Sequence, residues 1–154
     1  MSSGVTPNAK NHGDLGPLAS RFVRSAELPW EQTRFPGVET KTLFLDKPHG
    51  LVTVLLRMAP GAILPDHQHV LVEQTYMLEG RLVDKEGPEA GAQVGPGDFV
   101  WRPAGSRHAA WTPEGGLMIA VFQVPNKFFE QNGSVLDMLG MDWESQWGRA
   151  AAAE

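Results

Sequence analysis

Two histidines separated by one residue, His67 and His69, stand in the segment PDHQHVLVEQTYMLEG, and a carboxylate, Glu73, follows four residues after the second. A third imidazole, His108, comes just past the tight turn RPAGSR. Three imidazoles and one carboxylate form a ligand set for a first-row transition metal, whereas calcium and magnesium favour oxygen donors. In an extended chain, residues two apart project to the same face. His67 and His69 therefore point one way, and Glu73 joins them if pairing or a turn brings it round. A lone histidine in a strand is more often a polar or core residue than a ligand. His12, near the N-terminus, and His49, in the turn DKPHG, are assigned no role. Glu73 taken alone also reads as an ion-pair partner of Arg81 or Arg102.

Such residues need a scaffold, and the surrounding pattern is one of short apolar runs punctuated by Gly, Pro and Asp. Strands are predicted at Val38–Leu45, Leu51–Met58, Val72–Leu78, Asp98–Arg102, His108–Trp111 and Leu117–Val124. Their connections, including DKPHG, APGA, GPGD and PEGG, are short, which points to an all-β antiparallel sandwich or barrel. Residues 1–20 are polar and rich in Gly, Pro, Ser and Asn, and read as a flexible N-terminal arm. Residues 21–154 read as one domain. A helical signal appears only in DMLGMDWESQWGRAAAA, with Asp142 or Ser134 available to cap its start.

Composition narrows the partners. A chain of 154 residues fits one domain and buries roughly 70% of its unfolded surface. Net charge is −5 and the thirteen Lys and Arg are scattered, so nucleic acid and anionic membrane are excluded as expected partners. There is no cysteine, hence no disulfide framework, thiolate zinc site or thiol nucleophile. The N-terminus lacks the plan of a signal peptide, and no apolar run is long enough to span a bilayer. These features give the expectation of a soluble, cytoplasmic protein.

The intervals around the ligands are more specific than the ligands themselves. In GAILPDHQHVLVEQTYMLEG, five residues separate Gly61 from His67, one separates His67 from His69, three lie before Glu73 and six before Gly80. In GDFVWRPAGSRH, five residues separate Gly97 from Pro103, one precedes Gly105 and two precede His108. These segments resemble the two signature motifs of the cupin family, with one departure: Thr112 stands where the family often has Asn. The resemblance covers about Thr40 to Val124 and implies an antiparallel jelly-roll β-barrel, here with an N-terminal arm and a short C-terminal helix. It also implies that His67, His69, Glu73 and His108 look inward and share one metal. The four glycines lie where turns call for positive φ, and Pro103 fixes the turn that presents His108.

Three His and one Glu would leave about two positions open on a six-coordinate metal. One divalent transition metal per chain is expected, with Fe(II) favoured and Zn(II), Mn(II) or Ni(II) as alternatives. Strand parity sketches a pocket: Thr75 and Met77 share the face of Glu73, Ala110 lies beside His108, and on the neighbouring strand the pair Phe99 and Trp101 is expected inside in preference to Val100 and Arg102. An apolar cavity of that kind suits a small, fairly hydrophobic ligand.

A further resemblance, carried by GRLVDKEG, GDFVWRPAGSRHAAW and the tail from Val124, is to single-domain cupins such as acetylacetone-cleaving (β-diketone) and 2,4'-dihydroxyacetophenone dioxygenases. It implies an iron-dependent oxidoreductase that splits a C–C bond of a small carbonyl substrate with O2. Those relatives hold iron chiefly with three histidines, matching His67, His69 and His108. Glu73 is extra to that pattern, and is expected to act in catalysis by staying on the metal or swinging away. The barrel also resembles the sensor half of zinc-dependent anti-sigma factors, but the first thirty residues have no Cys and only His12, which argues against that role. The competing readings are a metal-dependent isomerase or decarboxylase using the metal as Lewis acid, and a non-enzymatic small-molecule-binding cupin. The same resemblance, together with sheet edges that need covering, implies a homodimer or homotetramer. The segment Arg21 to Trp30 is a candidate to cover a neighbour's edge.

Overall fold

Alternation of apolar and polar residues builds the sheets. In LVTVLLRM, Val52, Val54, Leu56 and Met58 are buried while their neighbours face outward, the period-2 pattern of a strand with one covered face. The computed structural model describes residues 3–153. Its strands are β1 (Glu31–Gln32), β2 (Val38–Asp46), β3 (Leu51–Met58), β4 (Ala62–Gln68), β5 (Glu73–Gly80), β6 (Leu82–Glu86), β7 (Gln93–Val94), β8 (Phe99–Arg102), β9 (Arg107–Thr112), β10 (Gly116–Gln123), β11 (Lys127–Phe129) and β12 (Val135–Leu136), followed by the helix α1 (Trp143–Ala152).

These strands form two six-stranded antiparallel sheets, in the orders β1-β2-β3-β10-β5-β8 and β12-β11-β4-β9-β6-β7. Their inner faces share one core, in which Val38, Met77, Met118, Ala120 and Phe128 are almost fully enclosed. The jelly roll therefore takes the form of two packed sheets that are not closed into a continuous barrel. All six predicted strands are present, within a residue or two at each end. The unpredicted β4 contains Pro65, Asp66 and His67, which mask its strand character. Several of the remaining unpredicted strands are only two or three residues long.

The bend in β4 decides which side chains enter the core. Leu64 pairs with Ala110 and His67 with His108, so three steps along β4 match two along β9. The extra residue, a β-bulge, reverses inward-outward parity at Pro65–Asp66. Ala62 and Leu64 face inward before it, and His67 faces inward after it. Proline suits the position, because it has no N–H to give to the ladder. Arg107 holds the bulge from β9, donating Nε to Asp66 Oδ1 at 2.8 Å.

The chain's own ends close the scaffold. Val5 is hydrogen-bonded in both directions to Leu45 at 2.8 Å, and Thr6 donates to the Leu43 carbonyl at 2.6 Å. With β1 paired to the same strand at Thr40 and Glu39, the outer edge of β2 is dressed by this chain itself. The segment Arg21 to Trp30 leads into β1. At the other end Asp142 caps α1, accepting from the Ser145 N–H at 2.8 Å, and Trp143, Trp147 and Ala150 form its buried stripe. Trp143 donates to the Pro125 carbonyl at 2.9 Å, and Trp147 to Asp137 at 3.3 Å. No helix among the described residues is long and apolar enough to cross a membrane.

Gly80 and Gly61 both have positive φ, 71° and 79°, but for different surroundings. A Cβ on Gly80 would lie 2.0 Å from the Gly115 carbonyl oxygen, whereas one on Gly61 meets nothing within 4 Å. Gly61→Ala is expected to cost about 1–2 kcal/mol, the left-handed penalty alone. Gly80→Ala is expected to cost clearly more, because backbone must also move. Urea denaturation of the two variants measures the difference.

Candidate metal centre

The bulge in β4, the end of that strand and the facing strand β9 bring His67, His69 and His108 together. Each offers a ring nitrogen, and these atoms all lie within 4.8 Å of one another. The ring centroids are 4.6–5.0 Å apart and the three residues are buried. His67 and His108 are direct cross-strand partners. His69 lies just past the end of β4, tied back through its N–H to Ser106 at 2.9 Å and through its carbonyl to Gly105 at 2.6 Å. The turn carrying Gly105 thus grips the His69 backbone while presenting His108.

Each imidazole has a polar group behind it. His67 Nδ1 lies 2.8 Å from the Pro65 carbonyl, which places its proton there and leaves Nε2 with a free lone pair. Burial, and then the neighbouring rings of His108 and His69, push the His67 pKa down to about 3. The ring is therefore neutral at neutral pH, the state a metal needs. His108 Nδ1 lies 3.2 Å from Asp84 Oδ1. Asp84 in turn receives two bonds of 2.7 Å from Arg102, a buried bidentate pair that joins β6 of one sheet to β8 of the other. Burial alone would raise the Asp84 pKa, but the His108 and Arg102 contacts outweigh it and hold the carboxyl below its ordinary value.

Glu73, the first residue of β5, stands behind His69. Its Oε2 is 2.7 Å from His69 Nδ1, it accepts from Thr75 Oγ1 at 2.9 Å, and it accepts from Asn126 Nδ2 at 3.2 Å. Burial works against ionisation, yet the contacts with His69, the nearby His67 ring and Asn126 prevail and draw the carboxyl down to about 2. Although Glu73 and His69 approach to ion-pair distance, the ring N–H is not aligned on the oxygen. Both ring nitrogens of His69, and Nδ1 of His108, are buried without an aligned hydrogen-bond partner. Buried polar atoms of this kind normally have partners. Both Nδ1 atoms face carboxylates, so a divalent cation among the three imidazoles would partner Nε2 of His69, and this donor set fits a transition metal.

The expected pocket residues divide. Thr75 and Ala110 line a small cavity beside His67, Glu73 and His108. Met77 is wholly buried in the core but does not line that cavity. Phe99 and Trp101 are 52% and 59% exposed and face outward, contrary to the sequence expectation. Register gives the reason: Trp101 is opposite Gln74 and Phe99 opposite Tyr76, and residues opposite one another share a face. Because Glu73 and Thr75 point in, Val100 and Arg102 do as well. Neither Arg81 nor Arg102 pairs with Glu73; Arg81 binds Glu114 and Arg102 binds Asp84. Asp84 and Asn126 were not anticipated from the sequence. An acidic residue two places after the apolar Leu82, on the inward parity of a short strand, was the available signal for Asp84. Asn126 lies in a loop and gave none.

A family model described as the ChrR cupin-like domain matches residues 19–127. No curated protein matches the chain. Among solved structures, an acetylacetone dioxygenase from Acinetobacter johnsonii is similar, with a TM-score of 0.68, 18% identity and coverage of 92% of this chain and 97% of that one. A provisionally assigned acetylacetone dioxygenase from Methylibium petroleiphilum PM1 gives a TM-score of 0.68, 19% identity and coverage of 90% and 96%. KdgF from Halomonas sp. gives a TM-score of 0.55 and 26% identity over 68% of this chain and 92% of that one. At their identities the two dioxygenase structures establish the shared fold alone.

Replacing His67 or His108 with Ala is expected to abolish binding of about one metal per chain. Asp84→Asn, which leaves the imidazoles in place, is expected to weaken binding roughly 10–100-fold. Glu73→Gln separates two roles: a similar weakening marks a residue that orients His69, and complete loss marks a direct ligand. Elemental analysis and chelator competition measure all four variants.

Proposed function

Because the chain belongs to the ChrR cupin-like family, we propose that it is a metal-dependent cupin enzyme, a non-haem Fe(II) dioxygenase that cleaves a C–C bond in a small β-diketone or aryl ketone. The observation that carries this reading is the buried cluster of three imidazoles, with nitrogens within 4.8 Å of one another, beside an apolar interior. His67, His69 and His108 would hold the ion. When bound, the metal would supply Lewis acidity toward a carbonyl oxygen and open positions suited to dioxygen chemistry.

The protein's part is orientation and exclusion of water. Pro65 and Asp84 set the His67 and His108 rings from behind, so their positions need no rearrangement when a ligand arrives. Glu73 has several donors and a carboxyl held at about 2, which makes it a poor proton acceptor at neutral pH. In this reading it holds His69 and Asn126. Leu56, Leu64, Leu82 and Met118 supply the apolar part of the small cavity's wall.

Fe(II)-reconstituted protein supplied with pentane-2,4-dione or an aryl ketone is expected to consume one O2 per substrate, giving one carboxylic acid and one carbonyl product. An oxygen electrode with product mass spectrometry tests this. Iron-loaded protein that takes up no oxygen with any such ketone would overturn the reading. Turnover with Zn(II) or Mn(II) and no oxygen uptake would assign a Lewis-acid isomerase or decarboxylase instead.

The homo-oligomer belongs to the same proposal. Tyr76 and Leu78 on β5, with Phe99 and Trp101 on the edge strand β8, form an exposed apolar face of the kind that marks association. Light scattering is expected to give at least twice the 16.8 kDa chain mass, and Trp101→Asp is expected to reduce it to the monomer.

A further inference from the structure

Two cavities share a wall. The one at the imidazoles has a volume of about 20 Å³, room for roughly one water. The other is about 240 Å³ and lies between β2, β3 and the C-terminal tail, walled by Val52, Val54, Phe128, Leu139 and Trp147 among others. An apolar cavity on the order of 150 Å³ already accommodates benzene. Phe122, Asn126 and Met138 line both chambers and form the partition between them. A carbon skeleton therefore fits only the outer chamber, where Asn126 is the nearest polar group of the shared wall.

Asn126 is the polar member of that partition. Its Nδ2 faces the Glu73 carboxylate at 3.2 Å. The amide cannot be turned over, because Oδ1 would then oppose a group with no proton to give. Oδ1 is left buried and without a hydrogen-bond partner, on a residue only 5% exposed. The backbone is committed to this placement. Val124 has φ of 65°, and it is the sole non-glycine with positive φ among the described residues, an unfavourable state for a β-branched residue. A bond from its N–H to Gly50 at 2.6 Å, and the Trp143 bond to Pro125, hold the turn that delivers Asn126.

We propose that Asn126 selects the substrate: its Oδ1 accepts a hydrogen bond from a hydroxyl on the substrate head, while the apolar body, an aromatic ring or branched alkyl group, fills the chamber under the C-terminal tail. This rests on the three-imidazole cluster being the reaction centre. Compact diketones leave the outer chamber unfilled, and molecules without a donor leave Oδ1 unpaired, which costs affinity.

The test uses the full chain, metal-free and Zn(II)-loaded, with benzyl alcohol and its methyl ether as ring compounds with and without a donor, followed by ligand-observed NMR titration. The alcohol is expected to bind about fivefold or more tightly than the ether. Asn126→Leu is expected to erase that preference in the metal-free protein. Leu139→Trp, at an exposed position on the chamber wall, is expected to weaken both ligands equally. Equal binding by the wild type, a preference that survives Asn126→Leu, or ring binding untouched by Leu139→Trp would each overturn the proposal. Should Asn126→Leu not fold, the wild-type ratio and Leu139→Trp decide the matter. Donor preference with no oxygen uptake from any ketone sinks the dioxygenase reading and leaves this one standing; oxygen uptake without donor preference does the reverse.

Discussion

An imidazole buried in an apolar core is costly unless its nitrogens are accounted for, and three are buried here within one small volume. Much of the architecture serves that constraint. One extra residue at Pro65–Asp66 turns β4 so that His67 shares the inner face with Leu64. The same proline that breaks the ladder supplies the carbonyl that fixes the His67 tautomer. Arg107 holds the bulge through Asp66 from the strand that also carries His108. Bulge, tautomer and cross-strand pairing are thus one arrangement, and each part loses its purpose without the others.

The carboxylates extend the arrangement across the sandwich. Asp84 backs His108 and receives Arg102 from the opposite sheet, so orientation of one ring is coupled to the spacing of the two sheets. Glu73 backs His69 and receives Asn126, which links the cluster to the loop after β10 and, through Pro125, to the C-terminal helix. Buried charges of this kind are tolerated because each has several partners. The tail that covers the large apolar chamber is therefore connected by hydrogen bonds to the metal-binding end of the fold.

Much of this was legible in the chain. The six strands with clean alternation or long apolar runs were readable because one face of each is buried. The helix was readable from its run of helix-forming residues, and of the two candidate caps Asp142 is the one used. The resemblance carried by the two motif segments implied that His67, His69, Glu73 and His108 converge, and the three imidazoles do lie together. Misplacement of Phe99 and Trp101 had a definite cause: a four-residue strand carries two equivalent parities, and hydrophobicity favoured the wrong one. The correct parity depends on Arg102 reaching Asp84, a contact between residues of different sheets. Asp84 and Asn126 escaped notice for the same reason, since their partners are 24 and 53 residues away in sequence, at His108 and Glu73.

By itself the sequence determined an all-β antiparallel fold through local periodicity, and its two motif segments, through their resemblance to cupins, implied the jelly roll and the converging imidazoles. Tertiary structure alone decided which face of β8 turns inward, that Glu73 meets His69 Nδ1, and that a second, larger chamber opens beside the cluster. Those features come from register between strands and from the docking of the C-terminal tail, where distances between atoms remote in sequence set the energy and no local pattern records them.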